Sequence, residues 1–198
     1  MNSLKPMQPD SQQHLQTYLG LLQKWQKSVN LVASSTLKDA WGRHFEDSLQ
    51  IAALVPQNVT VADIGSGAGF PGLVLAIARP DLKVHLIDSD SKKTTFLSVV
   101  SRETQLKNVV VHTGRIEDIL PTLKADIVTA RALASLDVLF GLTESQWRHA
   151  FFVFLKGADS QKEIDMAKVG HDFDVTAHPS QTSENARILC ISNVRKKA

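Results

Sequence analysis

The sequence has a single cysteine and no long apolar stretch. Cys190 lies within an apolar run, so an intramolecular disulfide is impossible, a cysteine-based metal cluster is excluded, and we expect a buried thiol. No segment approaches the roughly 18 apolar residues that a membrane-spanning helix requires, and the first ten residues contain no apolar stretch. These absences predict a soluble, cytoplasmic protein that has no membrane partner.

Motifs of hydrolytic chemistry are also missing. The sequence contains seven histidines but no H-E-x-x-H pair, and it has no G-x-x-x-x-G-K-[ST] loop. We therefore expect neither a metal site nor hydrolysis of nucleoside triphosphates. The 22 Lys and Arg residues against 20 Asp and Glu residues give a formal charge of +2, which neither demands nor rules out a nucleic-acid partner.

The most informative segment that is present is glycine-rich. Residues 61–72 read V-A-D-I-G-S-G-A-G-F-P-G, an apolar strand followed by a loop. Gly65, Gly67 and Gly69 lack Cβ atoms, so the backbone can turn sharply there and a ligand can lie against bare peptide. The dinucleotide fingerprint needs its third glycine where Phe70 stands, so a bound pyrophosphate is the weaker interpretation. The spacing favours a nucleoside without phosphates.

Two aspartates accompany this loop. Asp63 lies two residues before the glycines, and Asp88 ends the next apolar strand along the chain. An acid at the tip of the second strand of a βαβ unit can accept hydrogen bonds from both ribose hydroxyls. Together these features predict S-adenosylmethionine as the cofactor, with its charged end near Asp63 and the glycine loop. Either aspartate alone is equally compatible with a helix cap or a turn.

The N-terminal quarter of the chain is predicted to be helical. Apolar residues recur at helical spacing over residues 12–27, and a second amphipathic run covers residues 37–54. We expect one compact unit that consists of an N-terminal helical cap, residues 1–58, and a methyltransferase domain, residues 59–198.

From residue 59 onward, apolar runs of strand length alternate with helix-like stretches. This alternation predicts a parallel sheet with helices on both faces. The last two strand candidates, residues 173–177 and 187–192, flank a polar loop and predict an antiparallel hairpin. The predicted fold class is therefore α/β, a Rossmann-like class I S-adenosylmethionine-dependent methyltransferase with a seven-stranded, mostly parallel sheet.

An ordered set of motifs resembles a known family. The chain is similar to the RsmG (GidB) family, methyltransferases that modify N7 of a guanosine in small-subunit (16S) ribosomal RNA. The motifs occur in the family's order and cover nearly the whole chain. They are Asn30-Leu31, Arg43-His44 with Asp47-Ser48, the run from Asp63 to Gly72, Arg79-Pro80, Leu86-Ile87-Asp88-Ser89, Arg115-Ile116-Glu117, the run from Ala130 to Ala134, and Leu155-Lys156-Gly157.

The resemblance implies a set of cofactor-binding residues. Ile116 and Glu117 match the pair that approaches the adenine, Asp88 matches the acidic ribose position, and Arg131 matches the basic residue after the fourth strand. The full expected pocket for S-adenosylmethionine is Gly65, Gly67, Gly69, Phe70, Asp88, Ile116, Glu117 and Arg131. From the residues alone, Ile116 is compatible with a core position, Glu117 with an exposed acid, and Arg131 with a salt bridge.

Contacts with ribosomal RNA are expected from Arg43, His44 and Lys156. His44 and Asp47 lie three apart on one helix face, which suits a hydrogen-bonded pair, and a cap or core role for them is equally open. Phe70, Arg43 and Trp41 are possible stacking platforms for an unstacked base. Guanine N7 has a free lone pair and no proton to lose, so the sequence indicates no catalytic base.

Two other functions stay open at the level of sequence. The glycine loop also fits a class I methyltransferase that acts on a small molecule or a protein. It also fits a non-catalytic module that binds a nucleoside or NAD. The sequence does not indicate which guanosine is modified, or whether naked RNA or an assembled particle is the substrate.

Overall fold

A computed structural model of the chain describes residues 9–197. Its centre is one sheet of seven strands, all of which were expected from the apolar runs to within a few residues. The strands are β1 (Thr60–Ile64), β2 (Lys83–Asp88), β3 (Val109–Thr113), β4 (Ile127–Arg131), β5 (Phe151–Lys156), β6 (His171–Pro179) and β7 (Arg187–Lys196).

The strand order is β3-β2-β1-β4-β5-β7-β6. Strands β1 to β5 pair in parallel, whereas β7 pairs antiparallel to both β5 and β6. The predicted fold class is thereby confirmed, including the C-terminal antiparallel hairpin. The chain runs outward from β1 to β3 and then returns to place β4 on the other side of β1, so a crevice opens at the carboxyl ends of these strands.

Helices cover both faces of the sheet. They are α1 (Pro9–Trp25), α2 (Asp47–Leu49), α3 (Gly72–Ala78), α4 (Ser91–Glu103), α5 (Ile116–Ile119), α6 (Leu136–Thr143) and α7 (Ser160–Gly170). Helices α1, α3 and α4 pack into one hydrophobic core, and the residues of α6 and α7 pack into the other. Helix α3 is apolar on all sides because it lies between the sheet and the N-terminal cap.

The first half of the predicted cap is one long helix. Tyr18, Leu15 and Leu22 of α1 are fully buried in the same core as α3. The Tyr18 hydroxyl donates a hydrogen bond to the carbonyl oxygen of Ala68 in the glycine loop. Helix α1 therefore supports that loop directly. The division of the chain at residue 58 stays a prediction, and residues 1–8 of the predicted cap lie outside the described residues.

The second half of the cap was expected to be an amphipathic helical run over residues 37–54, and the structure is helical there but with changes of pitch. The chain makes a 3-10 turn (Ser34–Asp39), a π-helical turn (Trp41–Glu46), the short α2, and another 3-10 turn (Gln50–Ala53). Local side-chain bonds favour these changes of pitch. Thr36 Oγ1 lies 2.8 Å from His44 Nε2, and Ser48 Oγ donates to the carbonyl oxygen of His44 at 2.6 Å.

Among residues 9–197, no helix has both the length and the apolar character needed to cross a membrane. Cys190 lies on β7 and is buried, as expected. Burial raises the pKa of its thiol.

Candidate active site

A cavity of about 1070 Å³ lies at the carboxyl ends of the parallel strands. Its volume exceeds the upper end of the range for small-molecule pockets, roughly 300–1,000 Å³. The cavity therefore has room for a nucleoside-sized ligand together with part of a larger one.

The cavity has two parts. Its glycine-loop half lies at the ends of β1, β2 and β3, and its cap half lies beside β4 and β5, under the cap and the loop between β6 and β7. The glycine-loop half is lined by Gly65, Gly67, Asp88, Ile116 and Glu117. The cap half is lined by Arg43, His44, Asp47, Lys156, Ser180, Thr182 and Arg187, and Phe70 and Arg131 lie between the halves.

The predicted glycines have different surroundings. All three of Gly65, Gly67 and Gly69 have positive φ, at 62°, 54° and 96°. A Cβ on Gly67 would meet nothing closer than the Gly65 carbonyl oxygen at 3.8 Å, so this peptide faces open space. A Cβ on Gly69 would lie 2.7 Å from the Tyr18 hydroxyl, and Gly69 does not line the cavity. Gly67 is thus available to a ligand, whereas Gly69 permits close packing against α1.

Asp88 at the end of β2 is held by backbone amides. Its Oδ2 accepts the N–H of Gly67 at 2.8 Å, and its Oδ1 accepts the N–H of Asp90 at 2.9 Å. The residue is buried yet lines the cavity. Since each carboxylate oxygen has two lone pairs, both oxygens can accept a further hydrogen bond in a fixed orientation.

Asp63 does not line the cavity but lies directly behind the glycine loop that does, so the placement of the cofactor's charged end near this loop stays a prediction. It is fully buried, its Oδ1 accepts the Thr129 hydroxyl at 2.8 Å, and its Oδ2 accepts the Gly72 N–H at 3.2 Å. Burial raises the pKa of Asp63 to about 6 in spite of these hydrogen bonds, which act to lower it. Asp63 therefore fixes the glycine loop from behind.

Ile116 and Glu117 begin α5 at the rim of the cavity. Ile116 is partly buried against the second core, and Glu117 is exposed in the first turn of the helix. Both residues line the cavity, as expected. Their positions also agree with the plainer interpretation of a core residue beside an exposed acid, so their contact with a cofactor stays a prediction.

Arg131, the last residue of β4, connects the sheet to the cap. Its Nη1 lies 2.9 Å from His44 Nδ1 and donates to the carbonyl oxygen of Arg43 at 3.2 Å. The same nitrogen is 3.6 Å from Asp47 Oδ2, and the guanidinium carbon lies 4.9 Å from the centre of the Phe70 ring. The salt bridge that the sequence left open is present, and Arg131 lines the cavity as well.

His44 and Asp47 do not bond to each other, although their spacing suited a pair; both contact Arg131 instead. Because a guanidinium only donates, His44 Nδ1 must accept, and its Nε2–H then donates to Thr36 Oγ1. Burial, followed by the charges of Arg131 and Arg43, lowers the pKa of His44 to about 4. His44 is therefore a neutral, buried member of the cluster around Arg131, and its ring stacks on Phe70 with the ring centres 5.1 Å apart.

The cap also bonds to the loop between β6 and β7, a contact that the sequence did not reveal. Asp47 Oδ1 accepts the Thr182 hydroxyl and the Gln50 amide N–H, both at 2.8 Å. Gln50 Oε1 accepts the N–H of Gln181 at 2.9 Å. Asp47 and Thr182 are 135 positions apart, and no local pattern marks either residue as a partner of the other.

The basic residues of the cavity fall into two groups. Lys156 is buried, and its Nζ lies 2.7 Å from Glu163 Oε2, so its charge is matched. Four other cations line the cavity without a carboxylate within 4.0 Å in the part of the chain that the structure describes. They are Arg43, Lys93, Arg115 and Arg187.

Two further expectations concern metal and stacking. Over residues 9–197, no three side chains of His, Cys, Asp or Glu come together in a way that could hold a metal ion. Trp41 stacks on Phe45 at 5.2 Å, and its Nε1–H donates to Glu46 at 3.0 Å. Trp41 is therefore held by the cap itself, and Phe70 is the aromatic ring that reaches the cavity.

Comparisons with known proteins give one consistent result. Residues 11–188 match the family model GidB, described as rRNA small subunit methyltransferase G. The chain is 42% identical to ribosomal RNA small subunit methyltransferase G of Rhizobium johnstonii over 195 residues, which covers 94% of both chains. It is 40% identical to the protein of the same name from Rhodospirillum rubrum over 193 residues, which covers 96% of this chain and 94% of the relative.

Solved structures show likeness in fold. A mutant of MtNAS in complex with S-adenosylmethionine superposes with a TM-score of 0.64 at 15% identity, covering 92% of this chain and 75% of that one. A ribosomal protein L11 methylase from Lactobacillus delbrueckii subsp. bulgaricus superposes with a TM-score of 0.59 at 18% identity, covering 74% of this chain and 76% of that one.

Proposed function

The chain belongs to the GidB family, rRNA small subunit methyltransferase G, and from this membership we propose that it methylates N7 of a guanosine in small-subunit ribosomal RNA with S-adenosylmethionine as methyl donor. The observation that carries the proposal is the two-part cavity. One half offers bare backbone and a fixed carboxylate for a nucleoside, and the other offers a polyanion the cations of Arg43 and Arg187, which have no carboxylate within 4.0 Å among residues 9–197.

The glycine-loop half fits the proposed cofactor. S-adenosylmethionine supplies a methyl group on a positively charged sulfur. The open face of the Gly67 peptide admits a ligand against the backbone, and Asp88 presents acceptor lone pairs suited to the two ribose hydroxyls. Ile116 and Glu117 line this half, where they would offer the adenine an apolar contact and a carboxylate.

The chemistry requires positioning more than proton transfer. Guanine N7 attacks with its own lone pair, an N–C bond forms as the S–C bond breaks, and no proton leaves. Orientation of the reacting groups alone can contribute roughly 7–11 kcal/mol. His44, which lines the cavity, is not available to accept a proton from a substrate, which agrees with chemistry that needs no base. It is neutral, its Nε2–H donates to Thr36, and its Nδ1 accepts from Arg131.

The cap half fits a polyanionic substrate. Arg43 and Arg187 line the cap half, and Lys93 and Arg115 continue the positive charge along the glycine-loop half. Among the described residues, none of the four has a carboxylate within 4.0 Å. Phosphates of an RNA strand would bind these cations, and the affinity would fall steeply with salt. Arg43, His44 and Lys156 all line the cavity and stay predicted RNA contacts. Lys156 is paired with Glu163, and His44 is bonded to Thr36 and Arg131, so an RNA contact with either would compete with these bonds.

The test is an assay of methyl transfer to RNA; we propose that the protein acts in the cytoplasm, where ribosomes assemble. Labelled S-adenosylmethionine is incubated with the protein and with small-subunit particles or naked RNA from cells that lack the protein, and the nucleosides are identified by mass spectrometry. We expect labelled 7-methylguanosine. A cofactor that binds while every RNA and particle stays unlabelled would contradict the RNA assignment and favour a small-molecule or protein acceptor.

A matched pair of variants tests the cationic opening. We expect Arg187→Glu to weaken binding of the RNA substrate about tenfold at low salt and to flatten the salt dependence, because a phosphate contact is lost. Lys124→Glu makes the same change of charge at an exposed residue just before β4. This residue lies at the amino ends of the parallel strands, away from the cavity, which it does not line. Equal losses in both variants would indicate a general charge effect.

A further inference from the structure

Asp47 of the cap half has one carboxylate oxygen, Oδ2, for which residues 9–197 provide no hydrogen bond. Asp47 lines the cavity, and its side chain is 18% exposed. Its Oδ1 already accepts hydrogen bonds from Thr182 and Gln50. Its Oδ2 has only the Arg131 Nη1 at 3.6 Å, which is beyond hydrogen-bond length. The Arg131 Nη1 donates its hydrogen bonds to His44 Nδ1 and to the carbonyl oxygen of Arg43 instead.

The other cavity carboxylates are placed or engaged differently. Asp88 and Glu117 belong to the glycine-loop half, at the ends of β2 and β3. Glu163 is near the cap half, but its Oε2 lies 2.7 Å from Lys156 Nζ and accepts the Leu136 N–H at 2.8 Å. Asp47 is therefore the acid of the cap half whose charge is least satisfied among the residues that the structure describes.

A carboxylate in this place matches the chemistry of guanine. The Watson–Crick edge of guanine carries two adjacent donors, N1–H and the 2-amino group, whereas adenine offers an acceptor at N1. A carboxylate accepts from both guanine donors, and unstacked bases in RNA are commonly read along this edge. N7 lies on the opposite side of the purine, so a carboxylate on the Watson–Crick edge leaves N7 open toward the glycine-loop half.

We propose that Asp47 reads the Watson–Crick edge of the target guanine through Oδ2 and offsets the positive charge that the purine gains when N7 is methylated. The inference rests on the proposed function and names the group that selects the base. Methylation moves one positive charge from sulfur to the purine, and a carboxylate hydrogen-bonded to that purine is favoured more strongly after transfer than before. Asp47 is thereby both a specificity determinant and a residue that stabilises the product.

The Asp47→Asn variant tests this role sharply. Thr182 and Gln50 both donate to Oδ1, so the amide oxygen of the variant is held there. The amide NH2 then stands where Oδ2 stood and presents donors to the donors of guanine. We expect kcat/KM on the guanosine substrate to fall by tenfold or more, because a charge-assisted hydrogen bond is lost.

The decisive readout is a comparison of bases. Once the modified guanosine has been mapped, RNA is prepared with guanosine or inosine at that position; inosine keeps N7 and N1–H but lacks the 2-amino group. We expect the wild type to prefer guanosine about tenfold and Asp47→Asn to lose most of that preference. Asp47→Ser removes the carboxylate without adding an amide, and we expect it to lose the preference as well.

Thr182→Val is the matched control. It removes a donor to Oδ1 and leaves Oδ2 unchanged, so a change in rate should affect guanosine and inosine substrates by the same factor. A wild type that methylates both bases equally, or Asp47 variants that keep the wild-type preference, would overturn the assignment of Asp47 while the proposed function stands. Absence of any 7-methylguanosine from the wild type would instead contradict the proposed function.

Discussion

The two halves of the cavity are built in different ways. The glycine-loop half is built around bare backbone, with Gly67 following β1 and Asp88 ending β2, and the two are joined by an amide-to-carboxylate bond. The cap half is made of side chains from three distant parts of the chain, which meet around Arg131, Asp47 and Thr182. The half that would hold a common cofactor is therefore set by local geometry, and the half that would select a substrate depends on tertiary contacts.

The largest expected effect comes from a substitution that blocks the glycine-loop half and leaves the cap half unchanged. In Gly67→Ala the new Cβ points into open space, and the positive φ costs about 1 kcal/mol. We expect affinity for S-adenosylmethionine, measured by calorimetry, to fall about a hundredfold, because the ligand loses its approach to the backbone.

Gly20→Ala is the control for this variant. Gly20 lies in the interior of α1 with nothing within 4 Å of its would-be Cβ, so the change should leave cofactor affinity intact. It should also raise the free energy of unfolding by roughly 0.5–1 kcal/mol, because alanine favours the helix. Unchanged affinity in Gly67→Ala would mean that the ligand does not contact this peptide.

The second variant removes the contacts of Arg131, which lies between the two halves and connects the sheet to the cap. Arg131→Met keeps most of the length of the side chain but removes its bonds to His44 and the Arg43 carbonyl. We expect a loss of about 2 kcal/mol in the free energy of unfolding by denaturant and about a hundredfold in kcat/KM. Arg148→Met, at an exposed residue that lacks a side-chain bond in the described structure, should change neither; a similar loss there would point to an effect of charge alone.

Acid should weaken the cap half. The pKa of His44 is lowered to about 4, so its contribution to stability is fully present above pH 6.5 and is lost as the pH falls toward 4. In His44→Asn the amide oxygen can replace Nδ1 as the acceptor for Arg131, and the variant cannot gain a proton there. We expect the free energy of unfolding to fall less between pH 6.5 and 4.5 in the variant than in the wild type.

The quantity to compare is the difference in free energy of unfolding between the wild type and His44→Asn at each pH, because burial also lowers the pKa of His85 to about 4 in both proteins. Asp63 behind the glycine loop contributes a pH dependence of the opposite sign. Its pKa is raised to about 6, so its contribution is present below about pH 4 and is lost as the pH rises through 6. Parallel pH curves for wild type and His44→Asn would show that His44 is not protonated in this range.

The smallest expected effect concerns stability at the far side of the cap half. Thr182→Val removes one hydrogen bond to Asp47, and we expect a loss of about 1 kcal/mol in the free energy of unfolding. Ser183→Ala is the neighbouring control and should stay within about 0.5 kcal/mol of the wild type. Equal losses in the two variants would indicate that the loop is stabilised by something other than this bond.

The same contrast explains what the sequence could predict. The glycine loop follows β1 and Asp88 ends β2, and both strands can be recognised as apolar runs, so the sheet and this half of the cavity were foreseeable. The contacts of Asp47 with Thr182 and of Gln50 with Gln181 were not, because they join segments 135 and 131 positions apart that no local pattern relates. The pitch of the segment after α1 was also missed, since side-chain bonds such as Thr36 to His44 override a helical apolar pattern.

Asp63 and Gly69 show a further limit of reading motifs. Both stand within a ligand-binding pattern, yet Asp63 points back toward Thr129 and Gly69 packs against Tyr18. A pattern indicates that a loop has a given shape, and that shape needs supporting residues as well as binding residues. Which residue has which task follows from the direction of each side chain, and that direction is a property of the packed fold.

The bond from Tyr18 to the Ala68 carbonyl oxygen has a consequence for recombination between relatives. The first helix of the chain closes the back of a loop that lies some fifty positions later, and its side chains share a core with α3. We therefore expect the cap and the sheet to have changed together in evolution. A chimaera that joins the cap of one relative to the sheet of another should fold poorly unless the residues around Tyr18 are exchanged with it.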